Sequence, residues 1–410
     1  MRIGIIGGGA SGLFAACQLK RLNGGKAADI TLIERNPAPG KKLLLTGHGR
    51  CNITNRKDIP ELKKGYHEAE NFIYPALKEY GPEDVIAFFE NELGLPVKEE
   101  DNNRIFPVCD SALKVRDAIL SYLSGSAQIV CGAKVTGIKK TDGFEVLTSS
   151  ESYIFDRLIL SCGGSSFSKT GSSGDSYLFA ESLGHTIVPA KAALAPVAAD
   201  AASRKITGAL SGVSVTAKVS VRSTGKTFSK TGEILFADFG LTGPAVMEIS
   251  REIPVDVNGQ DVFIELDLVP SLADEQFDAK FQELIRDHAD AKITTLLSNY
   301  VPSSLAGMIA GLSDVKDSSA QNFSRENRKK ILRNIKHLKI GLDKAPDIDK
   351  AYVTRGGVSL KEVDRKTMQS KIAPGLYIIG EALDIDGISG GYNLQACMSE
   401  ACLASKSLLS

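Results

Sequence analysis

The first forty residues alternate short apolar runs with glycine and polar positions. Residues 3–6 predict a short buried strand, and residues 13–22 have apolar side chains at the spacing of a helix with one buried face. A second apolar run, residues 30–33, ends on Glu34. Because strand, turn, helix and strand follow one another directly, the pattern predicts an α/β fold that opens on a βαβ unit.

The pattern changes near residue 191. Residues 213–221 alternate between apolar and polar side chains, which is typical of a half-buried strand, and the apolar runs 234–236 and 262–266 indicate further strands. Beyond Pro270 the apolar residues recur at helical spacing. We therefore predict a first domain that is split in sequence by an inserted domain. The predicted bounds are 1–190 and 346–410 for the two segments of the first domain and 191–345 for the insert, which is β-rich over 191–270 and 326–345 and helical over 271–325.

A glycine-rich turn, Gly7 to Gly12, separates the first strand from the first helix. In a Gly-x-Gly-x-x-Gly turn the first glycine permits the tight turn, the second lets a pyrophosphate approach the backbone, and the third lets helix and strand pack closely. The phosphates then meet free N–H groups at the helix N-terminus. Glu34 is placed to bind both hydroxyls of an adenosine ribose, and its charge disfavours a 2′-phosphate there. The alternative is an α/β turn that uses glycine only for packing.

Two further features favour FAD over NAD. A long polar loop with several glycines, residues 35–55, follows Glu34 and suits the middle and flavin end of an extended FAD molecule. Near the C-terminus a buried strand ends in Gly380-Glu381, and a second glycine turn, residues 387–393, precedes the last helix. We expect Glu381 to hold the ribitol chain and the N–H groups near 391–394 to face the flavin pyrimidine. Otherwise this segment is one more glycine-capped surface helix.

A third short strand, residues 158–162, ends at a glycine pair and continues into the polar loop 165–175, which either faces a ligand or is a solvated connector. Val135, in the predicted strand 133–138, is expected to meet the adenine through its backbone. We predict non-covalent FAD. The predicted cofactor-binding residues are Gly7, Gly9, Ala10, Ser11, Gly12, Glu34, Arg35, Lys41, Gly49, Arg50, Cys51, Asn52, Val135, Gly163, Gly164, Gly380, Glu381, Gly391, Tyr392, Asn393 and Leu394.

Charge and composition argue against several other classes of protein. Lys plus Arg and Asp plus Glu both total 49, so the net charge is zero, and we expect neither a nucleic-acid nor a membrane partner. The 7 cysteines form no Cys-x-x-Cys pair and the 5 histidines lack metal-ligand spacing, so no metal site is predicted. No apolar run approaches the roughly 18 residues of a membrane helix, and no signal peptide precedes the glycine turn. The expected location is the cytoplasm.

Several blocks of residues, taken together, resemble a bacterial family. They are Gly40-Lys41-Lys42 with Gly47-x-Gly49-Arg50-Cys51-Asn52-x-Thr54-Asn55, Phe239-Gly240-Leu241-Thr242-Gly243-Pro244-Ala245, Val353-Thr354-x-Gly356-Gly357-Val358, Gly380-Glu381-x-x-Asp384, and Gly390-Gly391-Tyr392-Asn393-x-Gln395. In this order, over essentially the whole chain, they resemble the NAD(P)/FAD-dependent oxidoreductases of the BaiN and aminoacetone-oxidase-like group. The resemblance implies an FAD-binding domain split by an insert and a relation to fumarate-reductase-type flavoproteins. It also implies, for some members, reduction of enone double bonds in bile-acid intermediates, and for others oxidation of aminoacetone.

The chain departs from the family pattern in three places. His48 replaces a more usual glycine or asparagine, and Ala237-Asp238 replaces a Thr-His pair. In the last helix, Cys397 and Glu400 stand where aromatic and small residues are more frequent. The resemblance therefore transfers no role for the missing histidine and assigns no substrate.

The polar loop and the last helix hold the candidate chemical groups, because in a flavin enzyme the protein supplies orientation, electrostatics and exclusion of water. His48 is either a proton donor beside the flavin or a loop histidine bonded to backbone. Arg50 either stabilises negative charge on reduced flavin or pairs with an acidic side chain. Cys51 is a flavin-contacting or packing residue rather than a redox thiol, and Tyr392 is a proton donor or a packing residue. No catalytic residue is assigned.

These features predict an FAD-dependent oxidoreductase that reduces a small organic substrate, and the family resemblance implies an enone-type substrate. NAD(P)H would bind only transiently, since one complete dinucleotide fingerprint is present, or the electron donor is another protein. One alternative is an oxidase of a small amine that uses O₂. Others are a flavin-dependent RNA-modifying protein, which the neutral charge disfavours, and a flavin-binding protein without turnover. The oligomeric state is not predicted.

Overall fold

The computed structural model describes residues 1–23, 29–223, 225–254, 262–316, 318–321 and 323–410. The chain divides into two compact units. Residues 1–191 and 352–410 form one, called here the split unit, and residues 192–351 form the other, called the inserted unit.

Strands occur in both units. Along the described chain they are β1 (Arg2–Ile6), β2 (Asp29–Glu34), β3 (Thr54–Asn55), β4 (Val97–Glu100), β5 (Arg104–Pro107), β6 (Gln128–Cys131), β7 (Val135–Lys140), β8 (Phe144–Thr148), β9 (Ser152–Phe155), β10 (Arg157–Leu160), β11 (Ile187–Ala193), β12 (Val197–Ala198), β13 (Ser214–Ser223), β14 (Lys226–Ala237), β15 (Gly240–Thr242), β16 (Phe263–Asp267), β17 (Leu338–Gly341), β18 (Val353–Val358) and β19 (Leu376–Ile378).

The α-helices are numbered in the same way. They are α1 (Ala10–Leu22), α2 (Ile59–Leu62), α3 (Glu70–Glu79), α4 (Pro82–Ala87), α5 (Ala112–Leu123), α6 (Asp175–Ser182), α7 (Ser203–Ala209), α8 (Pro244–Ile249), α9 (Asp274–Asp287), α10 (Ile293–Leu297), α11 (Ser303–Leu312), α12 (Arg325–Lys336) and α13 (Tyr392–Leu409).

A five-stranded parallel sheet in the order β19-β10-β1-β2-β6 forms the centre of the split unit. Ile3 and Ile5 of β1, Leu32 of β2 and Ile159 of β10 are fully buried. Strands of a parallel sheet are buried on both faces, which explains why they consist of short continuous apolar runs. The βαβ unit predicted from the sequence is confirmed, with β2 ending on Glu34.

The inserted unit contains a six-stranded sheet in the order β12-β15-β14-β13-β16-β17, whose neighbouring strands pair antiparallel. Ala217, Val219 and Val221 of β13 are buried, whereas the alternate residues Lys218 and Arg222 are exposed. This period of two confirms the predicted half-buried strand. Helices α9, α10 and α11 confirm that the chain turns helical beyond Pro270.

The prediction of a β-rich segment over residues 326–345 is wrong for its first part. The chain forms α12 there, and the strand β17 is limited to Leu338–Gly341. Ser324 caps the helix by accepting a hydrogen bond from the Asn327 N–H at 3.1 Å. Ile331 and Ile335, four positions apart, are both fully buried, so the apolar period is that of a helix.

Within the described residues, no helix combines enough length with enough apolar character to cross a membrane.

His337 links three elements of the inserted unit and makes its stability pH-dependent. Its Nε2 lies 2.7 Å from Asp274 Oδ2 and its Nδ1 3.1 Å from Glu265 Oε1, and the bond to Asp274 is the main cause of a raised pKa. A raised histidine pKa stabilises the fold fully below the unfolded value of about 6.5, and the effect is lost as the pH rises through the folded pKa. Because the imidazole is 44% exposed, we expect its two ion pairs to contribute about 0.5–1 kcal/mol to the free energy of unfolding.

We predict that His337→Gln lowers the free energy of unfolding by about that amount at pH 5.5 and by less at pH 9. Thermal unfolding at both pH values checks this, with His288→Gln, a change of an exposed histidine, as the control. An equal loss at both pH values would show that the ion pairs with His337 are not the cause.

Candidate functional site

The glycines of the first turn differ in what surrounds them. A Cβ on Gly7, whose φ is +102°, would lie 2.6 Å from the Ser161 carbonyl oxygen, and a Cβ on Gly12 would lie 1.9 Å from the carbonyl oxygen of Gly7. Packing therefore requires both as glycine. Apart from its chain neighbours, a Cβ on Gly9 would meet no atom of the described residues within 4 Å, although Gly9 lies at the N-terminus of α1. The open space at Gly9 has no packing explanation and is where a pyrophosphate would approach the backbone.

Glu34 is a fixed carboxylate beside this turn. Its Oε2 accepts the Gly8 N–H at 2.7 Å, and its Oε1 accepts both the backbone N–H and the side-chain amide of Asn36 at 2.7 Å. Each carboxylate oxygen has about two lone pairs, so Oε2 retains capacity for a further donor such as a ribose hydroxyl. The Ala133 N–H donates to the Glu34 carbonyl oxygen, which brings the chain leading to Val135 to the same edge.

Arg35 and Lys41 both bind the polar loop 165–175. Arg35 Nη1 lies 2.7 Å from Asp175 Oδ2 and 2.5 Å from Ser173 Oγ, and Lys41 Nζ donates to the Lys169 carbonyl oxygen at 2.7 Å. The loop is therefore fixed against the segment that follows Glu34, and is not a loose connector.

A second polar network surrounds Glu381. Lys42 Nζ lies 2.9 Å from Glu381 Oε2 and donates to Ser166 Oγ at 2.8 Å. The Thr354 hydroxyl accepts the N–H groups of Ser165 and Ser166 at 3.0 Å. Three segments that are far apart in sequence thus meet at the Glu381 carboxylate, and Thr354 holds the 165–166 backbone beside it. Sequence reasoning missed Lys42, Ser166 and Thr354 as site residues.

Only part of the signal for this network was available in the sequence. Lys42 and Thr354 belong to the motif blocks on which the family resemblance rests, but a motif does not tell which of two adjacent lysines reaches the acid. A Cβ on Gly164 would lie 2.4 Å from Thr354 Oγ1, so this glycine is required by the close approach of the threonine.

The loop 35–55 meets the second glycine turn, residues 387–393, at the start of α13. A Cβ on Gly391, whose φ is +99°, would lie 2.4 Å from the backbone of Thr54. The Asn52 amide oxygen, in the orientation that satisfies its neighbours, accepts the Gly391 N–H at 3.1 Å. Asn55 Nδ2 donates to the Gly390 carbonyl oxygen at 3.1 Å. The predicted residues of both segments are thus brought together at an N-terminus of α13 without a side-chain cap.

The residues after Gly391 have distinct environments. The Tyr392 side chain is only 2% exposed, and its carbonyl oxygen accepts the Tyr66 hydroxyl at 2.8 Å, so Tyr392 packs in the core and is not placed as a proton donor. Asn393 closes the turn, because its amide accepts the Gly387 N–H at 2.8 Å and donates to the Gly387 carbonyl oxygen at 2.9 Å. Leu394 packs partly buried against the core.

The three candidate chemical groups of the loop 35–55 differ in their partners. Arg50 lies 2.8 Å from Glu100 Oε1 and over the ring of Phe106, so the structure shows the paired alternative. Burial raises the pKa of the Cys51 thiol to about 12, which makes it unreactive. His48 is exposed, has a φ of +56°, and forms no side-chain hydrogen bond with any residue that the structure describes. Gly49, next to it, is exposed with a φ of +84°.

One further polar cluster of the split unit has the residue types of a hydrolase triad. His185 Nε2 lies 2.8 Å from Ser370 Oγ, and its Nδ1 lies 3.4 Å from Glu362 Oε2. The Ser370 oxygen already accepts the N–H groups of Ile372 and Ala373, and the His185 side chain is fully buried, which lowers its pKa. The cluster is therefore structural, because its serine is neither accessible nor free to attack.

Together, these features fit FAD. The N-terminus of α1 has open space at Gly9 and no side-chain cap, and Glu34 lies beside it with spare acceptor capacity. A second uncapped helix N-terminus, at Gly391, belongs to the same unit. Helix N-termini bind anionic groups, and an extended dinucleotide presents a pyrophosphate and an electron-poor ring.

Comparison with known proteins decides the family. Residues 1–407 match the family described as HI0933-like protein Rossmann domain. The chain belongs to this family. It is 32% identical to a 3-dehydro-bile acid delta(4,6)-reductase of Clostridium scindens over 99% of this chain and 98% of that protein. It is 29% identical to a ribosomal RNA dihydrouridine synthase of Haemophilus influenzae over 97% of this chain and 96% of that protein.

A solved structure shows a similar fold. The 3-ketosteroid delta1-dehydrogenase of Sterolibacterium denitrificans, in complex with 1,4-androstadiene-3,17-dione, has a TM-score of 0.50 and 12% identity, covering 99% of this chain and 98% of that chain. The predicted α/β fold, a Rossmann-type FAD-binding domain with an inserted β-rich and helical part, is confirmed. So is the prediction that this HI0933-like protein is an FAD-dependent oxidoreductase.

We predict that Gly9→Ala yields a folded protein that binds FAD at least about tenfold more weakly. Gly9 has a φ of −78°, which alanine adopts readily, but the new methyl group would occupy the space that a phosphate needs. FAD content after purification and the dissociation constant from flavin fluorescence measure the effect. The control is Gly307→Ala in α11, where a Cβ also meets no atom within 4 Å. Wild-type affinity in Gly9→Ala would mean that the phosphates lie elsewhere.

Proposed function

We propose that the protein is an FAD-dependent reductase that adds hydrogen across a carbon–carbon double bond conjugated to a carbonyl group, with NAD(P)H as electron donor. The names of its relatives support this proposal. A delta(4,6)-reductase of a 3-dehydro bile acid saturates double bonds in a ring system with a 3-oxo group, and dihydrouridine is uridine saturated at a bond conjugated to a ring carbonyl. The two substrates differ greatly in size, but the bond that is reduced has the same electronic character.

The groups of the split unit have separate parts in this proposal. FAD, when bound, would supply the hydride. The N–H groups at Gly9 to Ser11 would hold the pyrophosphate, Glu34 the ribose and Glu381 the ribitol, while Lys42 and Ser166 orient the Glu381 carboxylate. The N–H groups at the start of α13 would face the pyrimidine edge, where negative charge develops on reduction.

Saturation of a double bond also consumes a proton, for which we propose His48 as donor. Among the ionisable side chains at positions 48 to 51, Arg50 is held in ion pairs and Cys51 is buried, whereas His48 is exposed. Gly47 and Gly49, which flank His48, have positive φ, as His48 itself does. The His48 side chain therefore projects from a stretch of three successive residues in the left-handed region. A strained backbone of this kind is often retained for function.

An aromatic pair in the same unit supports an apolar, ring-containing substrate. Phe167 has a φ of +52°, which is costly for a bulky residue, and its ring lies edge-on at 5.1 Å from that of Tyr352. Tyr352 is 37% exposed. Ser166, the neighbour of Phe167, is bonded to the Lys42–Glu381 pair, so the rings adjoin the network proposed to hold the ribitol.

The direct test is anaerobic reduction followed by addition of an acceptor. Bleaching of the flavin band by NADH or NADPH, and its return on addition of cyclohexenone or a 3-oxo-Δ4 steroid with a product two mass units heavier, would support the proposal. Flavin that no nicotinamide reduces, but that a small amine reduces with peroxide formed in air, would instead support the oxidase.

RNA is a second candidate substrate, and two observations favour testing it. Two relatives, at 29% and 28% identity, are ribosomal RNA dihydrouridine synthases. Arg325, Lys329 and Arg333, spaced four apart on α12, are exposed on one face of the helix, which suits contact with phosphates. Dihydrouridine formed in ribosomal RNA, and lost when these three residues are changed to glutamate while reduction of cyclohexenone persists, would identify RNA as the substrate.

We predict that His48→Gln slows reduction of the enone at least about tenfold while the rate of flavin reduction by NAD(P)H is unchanged, because only the second half-reaction needs a proton donor. Stopped-flow measurement of the two half-reactions separates them, and His288→Gln in the inserted unit is the matched control. If both half-reactions of His48→Gln proceed at the wild-type rate, His48 is not the donor.

A further inference from the structure

A buried carboxyl group lies directly beneath the Gly380 turn. Glu400, in the middle of α13, is fully buried. Its Oε2 accepts the Gly380 N–H at 2.5 Å, and its Oε1 has no hydrogen-bond partner among the residues that the structure describes. A buried carboxylate with one hydrogen bond is unstable in its charged form, and burial raises the pKa of Glu400 to about 8.

The groups that face Glu400 offer no compensating charge. On its own helix the neighbour is the Cys397 thiol, and from the segment 63–69 it is the Tyr66 hydroxyl. Burial raises the pKa of both, so both are neutral. Glu381 of the Gly380 turn and Lys42 of the loop 35–55 lie near Cys397 and pair with each other. Among the described residues, Glu400 has no ion-pair partner. It is therefore neutral at pH 7 and charged only in alkaline solution.

A single residue, Gly380, lies between Glu400 and the first glycine turn, Gly7 to Gly12. Gly380, whose φ is +70°, packs so closely on Ser11 that a Cβ would lie 2.6 Å from the serine Oγ. Ser11 is in the first turn of α1, where the pyrophosphate is expected. In this buried setting the interaction between two like charges is much stronger than in water.

We propose that Glu400 is a positioning residue for FAD, and that its carboxyl group must hold a proton for the dinucleotide to bind tightly. In its neutral form it orients the Gly380 N–H, and through it the turn that ends in Glu381, without adding charge. In its ionised form it places a negative charge behind the turn that receives two phosphates, and FAD binding then requires uptake of one proton. This inference rests on FAD binding alone and not on the reductase chemistry.

The experiment measures FAD release from the purified holoenzyme. The protein is diluted at pH values from 6 to 9.5, and the return of free-flavin fluorescence gives the dissociation constant. For the wild type we expect a constant value at low pH and, above about pH 8, a rise that approaches tenfold per pH unit, the slope for one linked proton. Glu400→Gln keeps the neutral shape of the side chain, so we expect the low-pH affinity at every pH.

The control is Glu79→Gln, which removes an exposed carboxylate of α3 that pairs with Lys406, and its pH profile should match the wild type. The proposal is overturned if Glu400→Gln shows the same alkaline rise, or if the wild-type profile is flat. If Glu400→Gln fails to fold, calorimetry of FAD binding to the wild type at pH 8.5 replaces it. Buffers of different ionisation enthalpy then report how many protons are taken up, and absence of proton uptake contradicts the linkage. Neither result depends on turnover of any substrate, so the reductase proposal is tested separately.

Discussion

The close approach of α1 to β1 is the constraint on which the split unit depends. Gly12 packs on the Gly7 carbonyl so tightly that a Cβ would lie only 1.9 Å from it, and Gly7 in turn packs on the backbone of Ser161 at the end of β10. These contacts fix the helix N-terminus at the carboxyl edge of the parallel sheet, which is where ligands bind in open α/β folds. Glu34 lies at the same edge because β2 is the neighbour of β1 in the sheet.

Contacts between distant segments then complete the site. The Asn52–Gly391 bond, the Lys42–Glu381 pair and the bonds of Thr354 to the Ser165-Ser166 backbone join pieces of chain that are far apart in sequence. Each bond satisfies a backbone or charged group that would otherwise be left unpaired in a partly buried position. The same network therefore stabilises the fold and orients the groups proposed to bind FAD.

Glu34 and Glu400, which both lie near the Gly7–Gly12 turn, show how the environment of a glutamate decides whether it is charged or neutral. Glu34 accepts three hydrogen bonds from the backbone and from Asn36, which suit a carboxylate. Glu400 accepts one and is fully buried, which suits the neutral acid. The motif identified Glu34 by its position at the end of the second strand, whereas the state of Glu400 depends on the Gly380 turn that lies against it.

Local pattern by itself determined the βαβ opening, the alternating strand β13, the helices after Pro270 and the two glycine turns, because periods of two and of 3.6 residues and the conformational freedom of glycine are properties of a short stretch of chain. The spacing of apolar residues over α12 is also a local feature, but we took this segment for β-strand. The tertiary structure alone decided that Lys42 rather than Lys41 reaches Glu381, that Arg50 is paired, that Tyr392 is buried and that Glu400 has no ion-pair partner among the described residues. Burial and pairing depend on residues tens to hundreds of positions away, and a single sequence does not specify which of them meet.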